Sequence, residues 1–187
     1  MNPDVLVVCT GNVARSPAVE YRLTARTGLS VRSAGTRAVV GAPVEAPMAR
    51  LLAEGNMSTE GFAARQLSAE QLERPGLVLG LTREHRSAVV ELDPGALSRA
   101  FTLREFARLA ANLPHDVVAG VRETRGARAR LDALVAAVHA SRATAALEVR
   151  DPADDDIADP IGRPESVYAE TYQQIKTAVA TISRVLG

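Results

Sequence analysis

Four short apolar runs restrict the fold of this chain more than any other feature: Asp4–Cys9, Leu29–Ser33 (ending at Gly35), Leu77–Leu81 and Ala100–Leu103. Valine-rich runs without polar alternation are the mark of strands buried on both faces. Between them lie stretches of helical character. One opens at Ser16-Pro17, with proline at a tolerated early position. One carries Met48, Leu51 and Leu52 up to Gly55, one follows Leu81 to about residue 92, and one covers Arg104–Asn112. Strands alternating with helices predict a parallel sheet covered on both faces. The expected architecture is α/β: a single three-layer domain over residues 1–187, with a central four-stranded parallel sheet and helices on both faces. A chain of 187 residues that is 47% apolar has the material for such a core. Ligands of open parallel sheets bind beyond the carboxyl ends of the strands, and the first run ends at Cys9.

Residues of about 113–150 read as a helical insertion. Leu131, Leu134, Val135 and Val138 follow the i, i+3, i+4, i+7 rule and predict a helix over roughly 126–142. Arg122, Arg125, Arg128 and Arg130 near its start read as a solvated face, with a docking surface for an acidic partner as the alternative. The acidic, proline-containing stretch Asp151–Pro164 predicts a loop, and a last helix is expected over about 165–186. His85 and His139 are assigned to helices as surface or interface residues and His115 to a loop, none with a chemical role.

The first strand runs into Cys9-Thr10-Gly11-Asn12-Val13-Ala14-Arg15-Ser16, a C-x5-R-S pattern between a strand and a helix. Gly11 permits backbone angles closed to other residues, and Asn12 tolerates a left-handed conformation. Successive amide N–H groups of Thr10, Gly11, Asn12, Val13, Ala14, Arg15 and Ser16 then point inward as an anion nest, helped by the positive end of the helix dipole. Arg15 adds a planar fork for two oxygens of a tetrahedral oxyanion. The same field stabilises a thiolate on Cys9, and Ser16 is placed to donate to that sulfur. The loop thus combines a nucleophile with a cradle for the group it attacks.

A single cysteine excludes an intrachain disulfide, and no metal-ligand spacing of Cys and His occurs, so no metal site is indicated. Twenty-two basic residues balance 22 acidic ones, which argues against nucleic acid or anionic membrane as a partner. Val5–Val8 is too short for a signal peptide or a span, so a cytoplasmic, reducing setting is expected.

At the loop the sequence resembles the low-molecular-weight protein tyrosine phosphatases, whose signature is an apolar strand followed by C-x-G-N-x-x-R-S-P. Ser33-Ala34-Gly35-Thr36 with Gly41 and Pro43, Ala64-Arg65-Gln66-Leu67, and Asp159-Pro160 before a helix containing Glu170-Thr171-Tyr172-Gln173-Gln174 are similar to further segments of that family. The resemblance implies hydrolysis through a phosphocysteine, with no metal or organic cofactor: Cys9 as nucleophile, Arg15 and the loop amides on the equatorial oxygens, Asn12 as a brace and Asp159 as general acid. Asp151-Pro152 is a second Asp-Pro pair. Asp159 is preferred because it lies at close to the family's spacing before Tyr172, and Asp154, Asp155 and Asp156 read as a solvated run.

The chain also departs from the family. Ala14 stands where many relatives carry a second loop cysteine, so an oxidised Cys9 has no internal thiol to trap it. Arg37-Ala38-Val39-Val40 and Ile161 occupy positions where relatives often place slot-lining aromatic residues. The expected substrate is a phosphorylated protein, phosphotyrosine above all, or a small aryl phosphate, with phosphate held in the loop. Two alternatives stay open: an arsenate reductase using an external thiol, and a non-catalytic phosphate- or phosphoprotein-binding module. The oligomeric state is not legible.

Overall fold

Val5–Cys9 forms β1, buried along its whole length. In the computed structural model, which describes residues 3–145 and 151–187, it lies inside a four-stranded sheet of order β2-β1-β3-β4. β2 is Val31–Gly35, β3 Leu77–Gly80 and β4 Ala100–Thr102, and every pairing is parallel. The sheet and helices match the expected architecture. The second strand sits two residues later than the apolar run suggested. Its register pairs Val7 with Ser33 and Cys9 with Gly35, because Asp4 N–H and Asp4 Oδ2 bind Ser30 O and Ser30 N–H at 2.7 and 2.9 Å and fix the strand's start.

Seven α-helices surround the sheet among the described residues: α1 Arg15–Thr27, α2 Ala46–Glu54, α3 Arg83–Leu92, α4 Leu103–Ala111, α5 His115–Glu123, α6 Ala127–Ala145 and α7 Glu165–Leu186. The strand order steps from β1 to β2 in one direction and from β3 to β4 in the other. Right-handed crossovers therefore place α1 and α3 on opposite faces. The two faces are unequal. Val5, Val7, Leu77, Leu79 and Phe101 join a large core with residues of α1, α2, α4, α5, α6 and α7. Leu6, Val8, Val78 and Ala100 join a smaller one with Val89 of α3.

The insertion is part of the main core. Leu131, Leu134 and Val138 are fully buried, each worth about 1.5–3 kcal/mol of transfer free energy. It holds two helices where the periodicity indicated one, and His115 begins α5 rather than lying in a loop. Residues 146–150, assigned to the same insertion, lie outside the described residues. Arg122, Arg125 and Arg128 are exposed, as a solvated face requires, and three of the four arginines also act as fasteners: Arg122 donates to Arg184 O at 2.6 Å, Arg130 to Leu186 O at 3.1 Å, and Arg128 pairs with Asp132 and Asp4. Arg122 and Arg130 thereby cap carbonyls that the last turn of α7 leaves unpaired. Asp4 lies at the start of β1, the edge of the sheet away from Cys9, so the first turn of α6 is fastened there, while Arg142 near its other end pairs with Glu105 of α4. No helix among the described residues is long and apolar enough to cross a membrane.

Candidate active site

β1 ends at Cys9 where the strand order changes direction, and α1 begins at Arg15, so residues 10–14 form the turn between a strand end and a helix start. Four carbonyls of this stretch point outward to neighbouring backbone: Cys9 O accepts from Thr36 N–H, Thr10 O from Arg37, Gly11 O from Val39 and Val13 O from Glu45, at 2.8–3.0 Å. The amide N–H groups from Gly11 to Ala14 have no acceptor among the described residues. With carbonyls turned out and amides free, the loop encloses a concavity at the helix N-terminus whose lining of donors suits an oxyanion.

The conformational demands fall differently from the sequence expectation. Asn12 holds the left-handed angle, φ 56°, whereas Gly11 is not among the positive-φ residues. An added Cβ at Gly11 would meet Val13 Cγ2 at 3.5 Å, an ordinary contact. The glycine that the loop needs is Gly35 of β2, where a Cβ would lie 2.4 Å from Thr10 O. The backbone of the loop is pressed directly onto it.

Asn12 is the hub of a buried hydrogen-bond chain with a defined direction. Ser33 donates to Glu20 Oε2 at 2.5 Å, which spends its only hydrogen. Ser33 Oγ therefore accepts from Asn12 Nδ2 at 2.8 Å, and Asn12 Oδ1 accepts Arg65 N–H at 2.8 Å, which fixes the amide's orientation. The other Asn12 N–H goes to Ser16 Oγ at 2.9 Å. The hydrogen of Ser16 is left for Cys9 Sγ, 2.9 Å away. Arg65 and Arg32 hold Glu20 at the far end. Glu20, Ser33 and Arg65 were not singled out from the sequence as chemical groups. Their sequence signal is the Ser-Ala-Gly-Thr and Ala-Arg-Gln-Leu segments, which converge on Asn12.

Arg15 is 4% exposed and turned into the site. Its Nη2 meets Asp159 Oδ2 at 2.5 Å and its Nη1 donates to Ile157 O at 3.1 Å. Asp159, the preferred general acid, is thus beside the guanidinium, half exposed at the mouth. Asp151, the alternative, instead caps its own turn by accepting from Ala153 N–H at 2.8 Å. Asp155 and Asp156, expected to be a solvated run, are anchors. Asp155 pairs with Arg108 of α4, and Asp156 accepts from Arg83 N–H at 2.7 Å while pairing with its side chain. Ile157 N–H donates to Leu81 O at 2.8 Å. The loop is therefore fixed two residues before the acid. Val39, Val40 and Ile161 are the exposed apolar side chains nearest this mouth in the sequence.

His85 departs most from expectation. It is 5% exposed and lies within the site, its Nε2 2.9 Å from Thr10 Oγ1 and its Nδ1 2.8 Å from Thr82 Oγ1. Burial, and then the charge of Arg15, push its pKa down to about 4, so the ring is neutral near pH 7. No group of three or more His, Cys, Asp and Glu side chains suited to a metal occurs among the described residues.

A sequence model described as low molecular weight phosphotyrosine protein phosphatase matches residues 4–138. Among curated proteins, the chain is 41% identical over 91 residues to the Escherichia coli K12 low molecular weight protein-tyrosine-phosphatase Etp, covering 48% of this chain and 62% of that one. It is 26% identical over 184 residues to the protein-arginine-phosphatase of Geobacillus stearothermophilus, covering 97% and 95%. The solved structure of the arginine phosphatase from that organism matches with a TM-score of 0.66 at 26% identity, over 96% of this chain and 90% of that chain. The sulphate complex of the tyrosine phosphatase Wzb from Escherichia coli K30 shares the fold, with a TM-score of 0.68 at 18% identity over the whole of both chains.

Proposed function

Since the chain belongs to the low molecular weight phosphotyrosine protein phosphatase family, we propose that it is a cysteine-dependent phosphomonoester hydrolase acting on phosphotyrosine proteins or small aryl phosphates. The observation that carries the reading is the set of free amides from Gly11 to Ala14 over Cys9, with Arg15 turned toward the same space.

In this mechanism an oxyanion enters the concavity, its equatorial oxygens taking the loop amides and the Arg15 fork. The Cys9 thiolate attacks phosphorus, a P–S bond forms, and the bond to the leaving oxygen breaks as Asp159 delivers a proton to it. Water then attacks phosphorus, Asp159 takes its proton, the P–S bond breaks, and inorganic phosphate leaves. Ser16 supports the sulfur as nucleophile and again as leaving group, because the hydrogen-bond chain from Glu20 directs its hydrogen there. A cytoplasmic setting, in which the lone thiol stays reduced, belongs to the same reading.

A second substrate class is favoured by one observation: a curated relative matched over nearly its whole length is named for arginine rather than tyrosine. The exposed Val39, Val40 and Ile161 are aliphatic and suit a guanidinium-bearing side chain as well as a ring. The test is turnover of para-nitrophenyl phosphate without added metal, followed by phosphotyrosine and phosphoarginine peptides in parallel. Hydrolysis that disappears in Cys9→Ser supports the mechanism. Undiminished turnover by Cys9→Ser refutes it, phosphate binding without turnover favours a recognition module, and arsenate consumption coupled to an external thiol favours a reductase.

A further inference from the structure

The hydrogen-bond chain from Glu20 supports Cys9, but it does not reach the opposite wall of the loop, where Thr10 stands. We infer that His85 is a positioning residue for the oxyanion cradle, holding the Thr10 hydroxyl between its own Nε2 and the guanidinium of Arg15. The inference rests on the reading that the space over Cys9 receives a tetrahedral oxyanion.

The juxtaposition follows from register. Val8 pairs with Gly80 across β1 and β3, so the residues two beyond that pair on each chain segment, Thr10 and Thr82, emerge side by side. Thr82 caps α3, and His85 stands one turn into that helix, folded back over both hydroxyls. The close approach of α3 to the strand end requires Gly80, where a Cβ would lie 2.8 Å from Arg86 N and 3.2 Å from His85 Cβ.

The ring bridges the two threonines at 2.9 Å and 2.8 Å, and Thr10 Oγ1 lies 3.5 Å from Arg15 Nη2, at the long limit of a hydrogen bond. Arg15 has two other supports, Ile157 O and Asp159. The Asp159 contact is the one an incoming anion competes for, since both seek the same Nη2. Thr10 and Ile157 then remain as the fixed supports of the fork. Side-chain chemistry restricts what can stand behind Thr10. A carboxylate there would pair with Arg15 and compete with the anion, and an ammonium would repel the guanidinium. A neutral imidazole, bonded at both nitrogens to hydroxyls that either donate or accept, does neither. It is also rigid, with two side-chain torsions, so Thr10 Oγ1 is held in place before any ligand arrives.

The test is a double-mutant cycle read by calorimetric binding of inorganic phosphate to the full chain, with para-nitrophenyl phosphate turnover alongside. Thr10→Val and His85→Leu each weaken phosphate by about tenfold, and the double variant is weakened no further than the weaker single, because one hydrogen bond is lost in all three. Conservative replacements sharpen the reading. His85→Gln, whose amide reaches the position of Nε2, stays within about threefold of wild type, whereas His85→Asn, which mimics Nδ1 and keeps only Thr82, is as weak as the leucine variant. Losses that multiply in the double variant, or glutamine and asparagine behaving alike, overturn the inference. Should the leucine variant fail to fold, Thr10→Val and the glutamine–asparagine contrast carry the same test. Wild-type protein that binds no phosphate overturns the oxyanion reading together with this one. Wild type that binds phosphate, with all variants equal to it, overturns this inference alone.

Discussion

Gly35→Ala adds a single methyl group to the second strand, yet its effect should be felt at the nucleophile. The new Cβ would stand 2.4 Å from the Thr10 carbonyl oxygen and 3.0 Å from Ala38 Cα, where ordinary contact begins at 3.4 Å. Relief requires a relative displacement of about 1 Å between β2 and the loop, because neither clashing atom is the free end of a side chain. The Thr10 carbonyl cannot move alone. It accepts Arg37 N–H at 3.0 Å and is one bond from the amide that opens the cradle. A misplacement of about 1 Å at a reacting centre costs roughly 100-fold in rate, so kcat/KM toward para-nitrophenyl phosphate should fall by about that factor. Overpacking adds about 1–3 kcal/mol of destabilisation, or roughly 2–12 °C in Tm at about 2–4 °C per kcal/mol for a chain of this size. Gly11→Ala is the matched control, since its Cβ meets only two valine methyl groups at 3.5 and 3.8 Å. A compatible Gly→Ala change restricts the unfolded chain and stabilises by about 0.4–1 kcal/mol, so its Tm should hold or rise slightly. Gly35→Ala with activity within threefold of wild type and an unchanged Tm would refute the reasoning, as would equal thermal losses in the two variants.

Three further outcomes follow from other parts of the structure. His85 is held neutral with a folded pKa of about 4 against an ordinary 6.5, facing Arg15, Asp159, Asp156 and Arg37. Between those values the unfolded chain binds a proton that the native chain does not, so stability falls on acidification, by up to about 1.4 kcal/mol per pH unit. Denaturant titrations of wild type and His85→Gln at pH 6.5, 5.5 and 5 should show the glutamine variant lacking that component of the slope. Asp159→Asn should lower kcat by about 10²–10⁴ on phenyl phosphate, whose leaving group needs a proton, and by less on para-nitrophenyl phosphate. Asp151→Asn should stay near wild type on both, and the reverse order would move the acid to Asp151. Arg130→Ala removes donors to Leu186 O and Gly187 O at 3.1 and 3.3 Å. Amide exchange should accelerate in the last turn of α7, with a stability loss of about 1 kcal/mol and no change in KM.

What the sequence made legible was local, and what it concealed was tertiary. The C-x5-R-S stretch sits between a strand and a helix that its own residues specify, so Cys9, Asn12, Arg15 and Ser16 stand out in the sequence as one group. His85 was not, because its role depends on β1 and β3 being neighbours in register, which brings Thr10 and Thr82 together from 72 positions apart. Asp155 and Asp156 looked like a solvated run for the same reason: Arg108 and Arg83, which neutralise them, lie on other elements. Arg122 and Arg130 read as part of a free face, since sequence cannot reveal that α7 ends with open carbonyls beside them. α5 escaped notice because His115–Glu123 buries only Val121 and carries a glycine, leaving almost no periodic signal. Glycine was the subtlest error. Gly11 drew attention by standing in the motif, while the steric need lay at Gly35, on a different strand.

The anchoring of residues 155–157 has a mechanical consequence for how such a protein can vary. Everything between the end of α4 and Asp155 is a detour whose two ends are stitched together again by Arg108 and Asp155. A residue added to the exposed turn between α5 and α6 leaves the buried stripe of α6 in place and reaches Asp159 only through a chain already clamped on both α4 and the end of β3. That exposed turn is where an added segment would leave the chemistry in tune.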